Sequence, residues 1–97
     1  MKSVFISYNM ALTESVMAII DKFGSRGYTQ IDNTLGRGSF KGEPHFGNHT
    51  WPSINSTIIT IVEDHKVEPI LDALRELDSQ TEEQGLRAFV WDITNQL

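Results

Sequence analysis

The sequence contains no cysteine, which excludes disulfides, thiolate metal centres and cysteine nucleophiles. It is also short of positive charge. Eight lysines and arginines stand against thirteen aspartates and glutamates, for a formal net charge of −5. The cations are scattered, so they make no basic stripe for a phosphate backbone or an anionic membrane surface. No apolar run comes near the ~20 residues that a membrane-spanning helix requires. The opening stretch, Met1 to Tyr8, is too short and too strand-like for a signal peptide. A cytoplasmic protein with no nucleic-acid partner and no membrane insertion is therefore expected. The sequons Asn48-His49-Thr50 and Asn55-Ser56-Thr57 then read as chance matches.

What is present describes one small globular domain, residues 1–97, with 39% apolar and 22% charged residues. So short a chain buries a modest core and often gains stability by assembling with copies of itself. Val4, Phe5, Ile6 and Tyr8 make a β-branched and aromatic run, a first strand. Asn9 or Thr13 can cap a first helix. In it Leu12, Val16, Ile19, Ile20 and Phe23 recur at helical spacing until Gly24 and Gly27. Tyr28 to Leu35 alternates as a second strand. From Gly36 to Ser56 the periodicity dissolves among glycines, prolines and polar residues. A loop that long in a domain this small is usually functional or disordered.

Thr57 to Val62 is the clearest strand, apolar enough for a central position. Asp64 or His65 is placed to cap a second helix, whose buried stripe is Val67, Ile70, Leu71, Leu74 and Leu77. Pro69 fits the first turn, where amides lack partners anyway. Ser79 to Gln84 connects to a last strand, Arg87 to Ile93. Two strand-helix-strand units side by side predict an α+β, ferredoxin-like βαββαβ sandwich. Its four-stranded antiparallel sheet would carry both helices on one face. The other face would be bare, and any apolar surface there must be covered by a partner or another copy.

Gly36-Arg37-Gly38-Ser39-Phe40-Lys41-Gly42 resembles the loop-base motif Gly-x-Gly-Arg-Gln-Lys-Gly of the PII signal-transduction family. Arg87-Ala88-Phe89-Val90-Trp91-Asp92-Ile93 is similar to that family's last strand, with Arg87 where the family has a phosphate-binding lysine. The resemblance implies a homotrimer with a long loop that meets a target protein, such as a transporter. It implies a ligand site near the loop base. The departures argue against ATP as effector. Ser39 and Phe40 replace the arginine and glutamine, and Glu82 and Glu83 put negative charge where a triphosphate would lie. Leu97 is reached without the family's later arginines, and the loop tyrosine that some members modify has no clear match. The chain also resembles the CutA-like family, a trimer of the same fold. That resemblance implies a divalent-metal-binding, metal-tolerance module.

The residues themselves support two chemistries. Gly36, Gly38 and Gly42 let backbone amides approach an anion, and Arg37, Lys41 and Arg87 can add charge-assisted contacts to a small anionic effector. The bland alternative is that these glycines only end a strand and open a loop. His45 and His49, with Glu43 nearby, offer imidazole and carboxylate ligands for a divalent metal, against the alternative of a solvated loop with chance histidines. His65 reads as a capping or surface residue; Trp51 and Trp91 could stack on a ligand, but strand aromatics are more often core. Phe40 and Phe46 in the loop suggest packing on a partner. Neither a nucleophile elbow nor a zinc-protease motif occurs, so a binding module rather than an enzyme is expected. The metal reading has a direct check. Zinc or copper should bind the wild type, weaken as pH falls below ~6.5, and be lost in His45→Ala/His49→Ala. A double variant that titrates like the wild type shows that these histidines are not ligands.

Overall fold

The computed structural model of the chain describes residues 1–24, 27–37, 44, 46–47, 54–80 and 85–97. In chain order these form β1 (Lys2–Asn9), a 3-10 turn (Met10–Leu12), α1 (Thr13–Lys22), β2 (Tyr28–Thr34), β3 (Asn55–Val62), a second 3-10 turn (Asp64–Lys66), α2 (Val67–Gln80) and β4 (Arg87–Asp92). The strands make an antiparallel sheet in the order β2-β3-β1-β4. This is the expected ferredoxin-like α+β arrangement, and β3 is central in it.

The sheet is built on the pairing of β1 with β3. Opposite residues share a face, so Val4, Ile6 and Tyr8 lie across from Thr60, Ile58 and Ser56. All six are buried. Val16 and Ile20 of α1 and Val67, Ile70 and Leu74 of α2 join the apolar members in one core. The spacing of those helix positions puts each set on a single stripe, the signature of a helix laid on a sheet.

The first helix is entered as its sequence suggests. The Asn9 side chain accepts a hydrogen bond from the Ala11 amide at 2.9 Å, and the Thr13 hydroxyl donates to the Met10 carbonyl at 2.7 Å. The second helix corrects the expectation of a cap by Asp64 or His65. Glu63 occupies the position before the 3-10 turn and makes no side-chain cap. Asp64 instead pairs with the Met1 ammonium at 2.9 Å, a full charge that outcompetes amide dipoles. That hydrogen bond holds the Asp64 carboxyl below its ordinary value. The pair's contribution is therefore present above the unfolded carboxylate value and is lost as pH falls through the lowered one. His65 is exposed, with Nδ1 3.4 Å from Glu63.

Two boundaries also move. The expected 36–56 loop gives up its last two residues, because Asn55 and Ser56 belong to β3. They are polar yet buried, and Ser56 is satisfied by its hydroxyl donating to Asp32 Oδ1 at 2.9 Å. Hydroxyls fasten β2 elsewhere too. Thr60 donates to the Gly27 carbonyl at 2.7 Å, and the Thr34 and Thr57 hydroxyls meet at 3.2 Å. Second, α2 continues through Ser79 and Gln80, shortening the expected polar connection. Among the described residues no helix is long and apolar enough to cross a membrane.

Ile58 lies at the centre of the core with no exposed surface. Ile58→Ala should cost about 2–5 kcal/mol, the usual range for deleting a buried branched side chain. A lowered denaturant midpoint at unchanged slope measures it.

Candidate functional site

The face of the sheet opposite this core carries neither α1 nor α2. Ser3, Phe5 and Ser7 point to it from β1, facing Ile61, Ile59 and Thr57 of β3 and Trp91, Phe89 and Arg87 of β4. The face divides along the strands. Toward Ser3 it is apolar and open to solvent: Phe89 is 57% and Trp91 48% exposed, and Ile61 is exposed as well, whereas the exposed Ile31 lies level with Thr57. This corrects the expectation that Trp91 is a core residue. Its strand position puts it on the uncovered side, where its ring sits 5.9 Å from that of Phe5. Toward Ser7 the face turns polar, with Ser7, Asn55, Thr57 and Arg87.

A cavity of about 300 Å³ opens at this polar end. Gly36 and Arg37 reach it from just beyond β2, and Gly85 and Arg87 from the start of β4. Ser7 and Asn55 lie between them, and Phe5 and Phe89 form an aromatic wall. Three of the residues singled out in the sequence, Gly36, Arg37 and Arg87, are thus brought to one place. Arg37 and Arg87 are fifty positions apart in the chain, and the strand directions bring the end of β2 and the start of β4 to the same end of the sheet.

Local geometry explains several of these identities. Gly85 has φ of 70°, a left-handed conformation that glycine adopts without strain. At Gly36 a Cβ would stand 3.4 Å from Asn55 Nδ2, so the missing side chain leaves the amide approachable. The Arg87 guanidinium donates to the Leu86 carbonyl at 2.6 Å, which anchors one end of the fork. Asn55 Nδ2 donates to Ser7 Oγ at 3.5 Å. Among the described residues that line the cavity there is no carboxylate. Two guanidiniums, an amide and a hydroxyl make a donor-rich site suited to an oxyanion. The phenyl rings suit a flat or apolar portion of the same ligand.

Gly38, Lys41 and Gly42, and the candidate metal ligands Glu43, His45 and His49, lie outside the described residues, as do Ser39, Phe40, Trp51, Glu82 and Glu83. Phe46 is exposed. Among the described residues no three histidines, aspartates or glutamates gather as a metal would need. Sequence reasoning did not find Phe5, Ser7, Asn55, Gly85 or Phe89 as lining residues. Strand alternation carried the signal for two of them. Ser7 interrupts an apolar run, and Asn55 opens the strand that carries Thr57 on the same face.

Comparison with known proteins agrees with this fold. A family model described as nitrogen regulatory protein P-II matches residues 1–96. Among solved structures, CPII from Thiomonas intermedia K12 bound to ADP, AMP and acetate is 28% identical, with a TM-score of 0.74 over 95% of this chain and 84% of that one. CPII bound to ADP and bicarbonate is 27% identical, with a TM-score of 0.76 and the same coverage. A PII-like signaling protein from Thermus thermophilus shares the fold at 22% identity, with a TM-score of 0.68 over 95% of this chain and 85% of that one. No curated protein matches the chain.

Proposed function

Because the chain belongs to the nitrogen regulatory protein P-II family, we propose that it is a regulator rather than an enzyme, which senses a small anionic effector at the base of its long loop. The observation that carries this reading is the cavity where Gly36, Arg37 and Arg87 converge with no opposing carboxylate among the described lining residues. Gly38, Lys41 and Gly42 come directly after them in the chain and are assigned to the same site. The solved relatives support the ligand class, since CPII was captured with ADP, AMP and bicarbonate. A mononucleotide offers both an oxyanion for the guanidiniums and a ring for the aromatic wall. ATP is expected to be a poor effector, because Glu82 and Glu83 precede Arg87 closely in the chain and would repel a triphosphate.

The effector acts by binding one arrangement of the loop base better than another, since only differential affinity can shift a conformational equilibrium. The loop then presents a changed surface to a target protein such as a transporter. The protein works in the cytoplasm. The apolar half of the open face is the surface through which three copies assemble. Its exposed Ile61, Phe89 and Trp91 form a band that water disfavours, and closing it in a ring also sets each cavity beside a neighbouring subunit.

Calorimetry with AMP, ADP and bicarbonate tests the effector. At least one should bind, and Arg87→Ala and Arg37→Ala should each weaken it by roughly 10-fold or more, the scale of a lost hydrogen bond to a charged group. Absence of binding by all three to the wild type would refute the reading. Assembly has its own measurement. Light scattering should report three chains for the wild type and fewer for Trp91→Glu, and a wild-type monomer contradicts the proposed assembly.

A further inference from the structure

We propose that Phe89 is the specificity-determining residue of this cavity: among small anions it selects a nucleoside monophosphate, stacking on the flat base while Arg87 holds the phosphate. The inference rests on the effector reading and adds to it a ligand class and the residue that recognises it.

Arg87 and Phe89 lie two positions apart on β4, and both line the cavity. Side chains two apart on a strand share a face and start roughly 7 Å from each other. Pairing with Ser7 and Phe5 of β1 puts both on the open face. A guanidinium and an aromatic ring therefore stand side by side at a spacing that the backbone fixes. In a nucleoside monophosphate one pentose separates phosphate from base, a distance of the same order. A bare oxyanion such as bicarbonate reaches the arginines alone and leaves the ring in water. A free nucleoside meets the ring and leaves the arginines without a counter-charge.

Exposure separates Phe89 from the other aromatics of this face. Phe5 lines the cavity too, but its ring is engaged 5.9 Å from that of Trp91. Phe89 is 57% exposed, which leaves much of its surface open to contact. An exposed phenylalanine by itself says little about binding. Beside a cation in a cavity it says more, because one ligand satisfies both groups: the ring gains by stacking and the guanidinium by charge. Every base has a flat face, so Phe89 selects for a base without choosing which. Phe89 also borders the apolar band, so a variant that leaves assembly alone must keep its apolar bulk.

The test is calorimetry with AMP, ribose 5-phosphate and bicarbonate on the wild type, Phe89→Leu and Phe89→Tyr. Ribose 5-phosphate is AMP without its base. Light scattering and thermal melting run alongside to compare assembly and folding. The wild type should bind AMP about 10-fold or more tighter than ribose 5-phosphate, the scale of one base stacked on an aromatic ring. Phe89→Leu keeps the bulk and removes the ring. It should lose that advantage while its ribose 5-phosphate affinity stays within about 2-fold. Phe89→Tyr keeps the ring and should hold AMP within about 2-fold of the wild type, and it carries the test if Phe89→Leu does not assemble. A wild type that binds AMP no tighter than ribose 5-phosphate overturns the assignment whatever the variants do, and binding of any probe then leaves the effector reading standing. Phe89→Leu overturns it by keeping the AMP preference or by losing both ligands equally, and a folded Phe89→Tyr overturns it by losing AMP. A wild type that binds none of the three removes the effector reading and this assignment with it.

Discussion

The pairing of β1 with β3 is the constraint on which everything else in the molecule depends. These two strands carry most of the buried sheet residues, and their one-to-one register from Lys2 with Val62 to Asn9 with Asn55 is unbroken. A slip of β1 by one residue would turn Val4, Ile6 and Tyr8 out of the core and bring Ser3, Phe5 and Ser7 into it. The hydrophobic effect therefore locks the register, and the register in turn decides what the opposite face displays. Helices cover one side only, so a sheet with two apolar faces has one of them left over.

That leftover face is where binding chemistry becomes possible. Neighbouring strands run antiparallel, so the end of β2 and the start of β4, on opposite edges, lie at the same end of the sheet. Residues near position 36 and near position 87 meet there over Ser7 and Asn55. The division of the face into an apolar band and a polar pocket arises from the order of residues on β1, β3 and β4. Ser3-Phe5-Ser7 is flanked by Ile61-Ile59-Thr57 and Trp91-Phe89-Arg87. The apolar band and the polar pocket are thus two parts of one surface, with Phe89 on the border between them.

Polar groups within the sheet have a related role. Ser56, Thr57 and Thr60 hold β2 by hydroxyl contacts to Asp32, Thr34 and Gly27, while β2 itself is almost wholly exposed. A strand fastened by hydrogen bonds rather than by packing has little buried area to lose when it shifts. The irregularity between Ile31 and Thr34, with Asn33 at φ of 60°, sits just before Gly36. It lets the chain leave the sheet where the cavity begins.

Much of this was legible in the sequence, because periodicity reports burial directly. The alternation of Val4, Ile6 and Tyr8, the helical stripes ending in Phe23 and Leu77, and the apolar run from Thr57 to Val62 determined the element order and the α+β class. Gly36, Arg37 and Arg87 stood out by their chemistry and by their resemblance to a known motif. Local pattern could not decide the rest. Asn55 and Ser56 look like loop residues because burying them is favourable only when Asp32 and Ser7 arrive from elsewhere in the chain. Asp64 looks like a cap until the Met1 ammonium, some sixty residues earlier, comes within reach. Trp91 looks like core because an aromatic in a strand does not say which side of the sheet is covered. In each case a partner distant in sequence sets the outcome. Sequence determines which residues must leave water, and tertiary structure decides which of the remainder come together.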